Sequence, residues 1–400
     1  MNNYDIIIVG GGMAGSALGC MCAMQGFQVA IVEHREPASE WPKDEIDLRL
    51  SALTRASQKL LQQVGAWPRI KELRSNPYQE MRVWDANGSG SIHFDAAELG
   101  EPNLGHIVEN RVTQLALWER LAEFDSVTRL CPASAKALDL TTEQPLLTLD
   151  DGTQLTAKLI VGADGRDSAI RRMAGITTHG WEYDQHAIVA TVTQQKPHHD
   201  TAWQRFMTTG PLAFLPLDDG RCSIVWSTSP TETQRLMALD DVSFCAELGQ
   251  ALAYRLGKIS AVGPRGAFPL RLQHADSYIK PGLALVADAA HAMHPLAGQG
   301  INLGFLDVAA LADILGEAKA AGRDFSSPRT LRKYERCRKG ANMGMLAAMD
   351  GFKKLFSNNQ LSLTMMRNIG LSLTDSAGPV KHLITRRALG LIGELPNWMR

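Results

Sequence analysis

The first 33 residues constrain the fold more than any other stretch. Asp5–Val9 is a β-branched run of the kind a fully buried strand uses. Gly10-Gly11-Gly12-Met13-Ala14-Gly15 follows it. Met13–Gln25, rich in alanine, methionine and leucine, predicts a helix that Gly26 ends, and Gln28–Glu33 predicts a second strand. Strand, glycine turn, helix and strand make a βαβ unit, which implies a parallel sheet. Each glycine of the GxGxxG pattern has its own reason. Gly10 permits the tight turn, Gly12 lets backbone approach a pyrophosphate, and Gly15 lets helix and strand pack closely. Met13 and Ala14 open the helix, whose free N–H groups attract an anion. Glu33 ends the second strand and is the acidic residue that would bond a ribose. The alternative is an ordinary glycine turn, and the strand–turn–helix setting argues against it.

A chain of 400 residues has room for two or three structural units. A formal net charge of −1 gives no support for nucleic acid as a partner. The six cysteines are scattered, with only Cys20 and Cys22 close together, so neither a disulfide framework nor a zinc site is expected and a reducing cytoplasm is. The N-terminus lacks the pattern of a signal peptide, and no apolar run reaches bilayer-spanning length. Membrane contact, if any, is expected to be peripheral, on the inner face.

Further along, residues 51–74 and 110–123 predict helices. Residues 80–94 predict a hairpin turning at Asn87-Gly88, and Asp151-Gly152 marks a second hairpin whose return strand runs into Leu159–Gly162. From about 183 to 272 short alternating strands (187–193, 202–208, 222–228, 264–270) and one helical stretch near 241–256 predict an inserted antiparallel sheet. Helices are predicted over 303–322 and 328–356, with helical patches in a tail at 361–400.

Two more segments carry chemistry. Gly162-Ala163-Asp164-Gly165-Arg166-Asp167-Ser168, followed by Arg171, lies where a buried strand gives way to a helix, and ligands of open α/β sheets collect at such ends. Asp164 or Ser168 also suits a helix N-cap. The strand Leu283–Ala287 then ends at Asp288, whose carboxylate can accept hydrogen bonds from a polyol. The turn 295–300 is expected to aim backbone N–H groups at one point, an array that stabilises an anion. His291 and His294 have no third ligand at a recognised spacing, so no metal is expected and local packing or capping is the preferred role.

In their order and spacing, the N-terminal GxGxxG, GADGRDSAIR at 162–171 and DAAHAMHPLAGQG at 288–300 resemble the FAD-dependent aromatic hydroxylases, over nearly the whole chain. Within that superfamily LRLSALTRASQKLL, GHIVENRV, GAFPL, GLALVADAAH and HPLAGQGINLGFLD are similar to the ubiquinone-biosynthesis hydroxylases. Ala287 is one departure: the group usually has glycine there, and the extra methyl is expected to crowd the ribityl chain while FAD still binds.

The resemblance implies an α/β fold: a Rossmann-like FAD-binding domain, an inserted antiparallel-sheet α+β substrate domain and a helical C-terminus, as in p-hydroxybenzoate hydroxylase. The expected division is 1–78, 105–180 and 275–356 for the FAD-binding domain, 79–104 and 181–274 for the substrate domain, and 357–400 for the tail. It implies that Gly10, Gly12, Met13, Ala14 and Gly15 hold the pyrophosphate, Glu33 the ribose and Asp288 the ribityl chain. Gly298, Gln299, Gly300 and Asn302 would face the isoalloxazine, with Arg49, Arg111, Asp164 and Arg171 supporting FAD.

The chemistry implied is that of a flavin C4a-hydroperoxide near Pro295, Gly298 and Gly300, with no catalytic base identifiable. With no second GxGxxG unit, NAD(P)H is expected to dock transiently as electron donor and O2 is the co-substrate. The substrate implied is a polyprenyl phenol or benzoquinol. FDAAEL, MAGI and GFQVAIVEHREPA look like the branch acting on 2-octaprenyl-3-methyl-6-methoxy-1,4-benzoquinol. CSIVWSTSP and ELPNWMR look like the branch hydroxylating 2-octaprenylphenol. Rival readings are isoprenoid reduction or epoxidation on the same scaffold and a non-catalytic flavoprotein that organises a ubiquinone-biosynthesis complex. The basic, partly apolar tail offers a lipid-facing segment, or else a helix packed on the FAD-binding domain.

Overall fold

The computed structural model describes residues 2–292, 300–356 and 378–400. Three sheets organise them. The first has eight strands and is parallel at its centre: Leu283–Leu285, Gln154–Gly162, Asn2–Val9, Val29–Val32 and Val127–Leu130 lie side by side. Its central strands are buried on both faces, which is why Asp5–Val9 reads as an unbroken apolar run. The helix Met13–Met24 lies in the same core, with Cys20 and Cys22 both fully buried despite their spacing. Burial pushes the Cys20 thiol up to about 12, so it stays protonated.

The second sheet has nine strands, antiparallel but for one parallel pairing. It takes the hairpin Glu80–Asp85 and Ser91–Asp95, the strands between Thr178 and Ala275, and the short strand His291–Ala292. A third, three-stranded sheet of Leu50–Thr54, Gly105–Glu109 and Asn76–Tyr78 lies within the sequence span of the other two. The chain passes from the first sheet to the second and back twice, then out to the second again at His291.

Several expectations need correction. Residues 50–54 form a strand, not the start of a helix: Leu50–Thr54 pairs with Gly105–Glu109, and the Thr54 hydroxyl then accepts the Ser57 N–H to cap the helix Arg55–Gln63. The strand Gly210–Pro216 was not expected, because glycine and proline at its ends read as turn signals. The helix Pro230–Ala238, capped by Ser229, was missed as well. The strand before Asp288 is shorter than expected, Leu283–Leu285, because the backbone turns at Ala287.

The two C-terminal helices are Gly300–Ala320 and Pro328–Phe356. In the described part of the tail, the helix Gly378–Ala388 leads into residues that dock on the body: Met399 is fully buried and Leu389 nearly so. Residues 361–377 of the expected tail lie outside the described residues. Among the described residues no helix is long and apolar enough to cross a membrane.

Candidate cofactor site

The strand Asn2–Val9 delivers the chain to Gly10, whose φ of +109° is one that side chains avoid. A Cβ on Gly15 would lie 1.9 Å from the Gly10 carbonyl oxygen, so helix and turn are in contact. Among the described residues a Cβ on Gly12 would meet no atom within 4 Å, so none of them fills the space beside that backbone. Gly12 caps the helix with no side-chain hydrogen bond, and the first-turn N–H groups of Met13 and Ala14 remain available to an anion. Glu33, 6 % exposed, accepts the Gly11 N–H at 2.6 Å and the Arg35 N–H at 3.1 Å. Its carboxylate is therefore held against the glycine turn.

In the second motif Asp164 acts as a cap: it accepts from the Ile170 N–H at 3.1 Å and from the Ser168 hydroxyl. Ser168 accepts in turn from the Arg171 N–H at 2.9 Å. Arg171 is buried and joins two motifs, donating to the Ala289 carbonyl and to the Arg166 carbonyl, both at 2.8 Å. Burial lowers its pKa from the ordinary arginine value.

In the third motif Ala287 adopts φ +52°, left-handed for a residue with a side chain. Its N–H donates to Asp307 Oδ2 at 3.1 Å. Its methyl fills the gap left by Gly304, where an added Cβ would approach it to 2.9 Å. The methyl expected to crowd a ribityl chain is thus taken up by the helix Gly300–Ala320. Asp288 presents an exposed side chain, with much of the protein crowded around it. Burial raises its carboxyl above the usual range, while His291, Arg166 and Arg49 act the other way.

Other expected site residues are spread more widely. Arg49 is exposed, with its guanidinium 5.4 Å from the Phe268 ring centroid. Arg111 is committed to protein partners, donating to Glu109 at 2.9 Å and to Glu45 at 2.8 Å and stacking over Trp41. Asn302 is equally committed: its amide donates to the Ala52 carbonyl at 2.8 Å and accepts from the Thr54 N–H at 3.0 Å and the Ser57 hydroxyl at 2.6 Å. Gly300 opens its helix, and among the described residues a Cβ there would also meet no atom within 4 Å. His294, Pro295, Gly298 and Gln299 lie outside the described residues.

A buried charge network behind Asp288 escaped the sequence reading. Asp307, fully buried, accepts from His291, from Arg338 Nε at 2.8 Å and from the Asn342 amide at 3.0 Å. Burial alone would raise its carboxyl, yet His291 and Arg338 hold it well below the usual range. The one available signal was a carboxylate inside an otherwise apolar helix, Leu303–Leu311. Among the described residues no group of three or more His, Cys, Asp or Glu is placed to hold a metal ion.

A small space with room for about one water lies between the second and third sheets. Ala52, Tyr78, Met81, Ala202, Gln204 and Leu215 are among its lining residues.

The open backbone at Gly12, the uncapped helix start and the exposed carboxylate of Asp288 fit a dinucleotide-like cofactor. The chain belongs to the family described as FAD binding domain, whose model matches residues 3–348. It is an FAD-dependent monooxygenase, and its homologues are ubiquinone-biosynthesis hydroxylases. It is 42 % identical to the 3-demethoxyubiquinol 3-hydroxylase of Escherichia coli, over 97 % of this chain and 98 % of that protein. It is 38 % identical to ubiquinone hydroxylase UbiL of Rhodospirillum rubrum, covering 99 % of this chain and 92 % of the relative. The fold is that of p-hydroxybenzoate hydroxylase-like proteins: p-nitrophenol 4-monooxygenase PnpA of Pseudomonas putida superposes with a TM-score of 0.80 at 18 % identity, covering 98 % of this chain and all of that one.

Proposed function

We propose that this chain hydroxylates the ring of a polyprenylated ubiquinone precursor, 2-octaprenyl-3-methyl-6-methoxy-1,4-benzoquinol or a near relation. The observation that carries the reading is the end-to-end 42 % identity with a 3-demethoxyubiquinol 3-hydroxylase. A demethoxyubiquinol is a prenylated quinol of the same chemical type.

In this reading Gly10, Gly12, Met13, Ala14 and Gly15 take the FAD pyrophosphate on open backbone and free N–H groups. Glu33 keeps acceptor capacity for the ribose, and Asp288 accepts from the ribityl hydroxyls. Arg49 adds positive charge near Asp288. Gly298, Gln299 and Gly300 complete the flavin ring site. Arg171, Asp164, Arg111 and Asn302 serve mainly to brace the segments around it. Bound FAD supplies oxygen activation and transfer of one oxygen atom to the ring. The other atom leaves as water, and NAD(P)H supplies the two electrons.

The division into domains expected from the sequence is proposed here. A polyprenyl substrate resides in lipid, so the enzyme works at the membrane's inner face or within a complex that presents the substrate. The test is quinone-intermediate profiling in a strain lacking this protein. Accumulation of the methoxy-methyl benzoquinol supports the reading. Accumulation of 2-octaprenylphenol assigns the earlier hydroxylation instead, and an unchanged quinone pool refutes both.

A further inference from the structure

Ala287 adopts φ +52° immediately before Asp288. A side chain makes that backbone unfavourable, and such strain persists only where the surroundings over-determine it. Three contacts do so here. The Ala287 N–H donates to Asp307 Oδ2 at 3.1 Å, the His291 imidazole pairs with the same oxygen, and the Ala289 carbonyl accepts from Arg171 at 2.8 Å. The chain is therefore pinned on both sides of Asp288. The Asp288 carboxylate itself has no hydrogen-bond partner among the described residues. Its place is set by the backbone that carries it and not by contacts of its own.

Asp307 is in turn held rigidly. It is fully buried, and its other oxygen accepts from Arg338 Nε at 2.8 Å and from the Asn342 amide at 3.0 Å. Arg338 also donates to the Asn342 carbonyl oxygen at 2.8 Å, which closes the network. A binding group keeps its geometry only when the groups behind it are locked in this way. Resting on the assignment of Asp288 to the ribityl chain above, we propose that Asp307 is a positioning residue for FAD. Through Ala287 and His291 it holds the strained turn that aims the Asp288 carboxylate at the cofactor. Arg338 and Asn342 bring the helix Pro328–Phe356 into cofactor binding by the same route.

The test titrates apoprotein with FAD, read by flavin fluorescence at a temperature where every variant is folded. Asp307→Leu/Arg338→Met exchanges the buried pair for apolar groups, which removes the acceptor without stranding a charge. Its FAD affinity falls about 3- to 10-fold. Asp307→Asn/Arg338→Met keeps a neutral acceptor for the Ala287 N–H and recovers most of that affinity. In an Asp288→Ala background the Asp307→Leu/Arg338→Met change costs nothing further, because no carboxylate is left to aim. His291→Phe cuts one link and leaves the Asp307–Arg338 pair in place. It gives a smaller loss, again only where Asp288 is present, and it decides the matter if the apolar pair does not fold.

Wild-type FAD affinity in the folded variants overturns the proposal. So does an equal loss with and without Asp288, which is what a general loosening of the fold would give. If Asp288→Ala alone binds FAD as wild type does, the assignment of Asp288 fails and takes this one with it. A loss in Asp288→Ala with none in the Asp307 and His291 variants defeats the positioning role alone.

Discussion

Single residues divide into those that shape the fold and those that leave room for something else. Gly15 and Gly12 show the contrast. Gly15→Ala places a methyl against the Gly10 carbonyl, so the variant is expected to lose thermal stability with or without FAD. Gly12→Val meets no protein, so it should fold and melt near wild type yet be purified colourless. A yellow, FAD-saturated Gly12→Val protein would remove the pyrophosphate from that turn.

Asp288 separates stability from binding. Its carboxyl titrates higher in the folded protein than in an unfolded chain. Folded-state stability therefore falls as pH climbs from the ordinary value of 3.8 through the raised one, and the loss is complete beyond it. Apo Asp288→Asn should melt higher than wild type at neutral pH, with the gap closing in acid. The same change should weaken FAD about tenfold, a charged acceptor having become a neutral one. Calorimetric scans across pH and FAD titrations check both halves.

The glycine turn was legible because the motif fixes the backbone that Gly10 and Gly15 need. The commitments of Asn302, and of Arg111 to Glu45, were not, because those partners lie far away in the chain. Nor was the left-handed backbone at Ala287, where the residue type gives no warning.

At the scale of elements, Asp307 ties three pieces of chain together: the turn at Ala287–His291, its own helix and the long helix Pro328–Phe356. Arg338→Met leaves the buried carboxylate short of a cation, and about 3–5 kcal/mol of stability should go with it. Adding Asp307→Asn to that variant should recover part of the loss, a coupling that denaturant melts can measure. The Asp307 carboxyl is depressed in the folded protein, so its contribution is present above the ordinary value of 3.8 and is lost as pH falls below it.

The long helix was read with its observed bounds, because apolar spacing over so many residues is a strong local signal. Its pairing with Asp307 depends on how two helices pack, which periodicity does not encode. The strand Leu50–Thr54 was misread for a related reason. Five residues carry little period, and the helix directly after them dominated the window.

For the molecule as a whole, the tail is the element whose reading changes most. The Leu389 carbonyl accepts the Ala56 N–H at 3.2 Å, Lys381 pairs with Glu98 at 2.8 Å, and the Asn397 N–H donates to Asp313 at 2.6 Å. These contacts favour the packed helix over a free lipid-facing segment. Deleting residues 379–400 should lower the melting temperature and reduce turnover of long- and short-chain substrates alike. A selective loss with the long-chain substrate would restore a delivery role. The sequence of folds within the chain was readable at this scale because three motifs and a change of strand texture mark it. The third sheet was not, being built from three short strands, Leu50–Thr54, Asn76–Tyr78 and Gly105–Glu109, with other elements between them in the chain.

The order in which the first sheet is assembled also has a consequence for synthesis. Asn2–Val9 emerges from the ribosome well before its neighbour Gln154–Gly162, which comes some 150 residues later. Leu283–Leu285 closes that side of the sheet later still, and the Asp307 and Arg338 contacts follow it. Long-range pairing of this kind is slow to form. The nascent glycine turn therefore waits on an unpaired strand edge, exposed to aggregation, until Gln154–Gly162 has been made. FAD loading becomes a step of the finished polypeptide, and cofactor scarcity in the cell would show itself as accumulated complete apoprotein rather than as truncated chains.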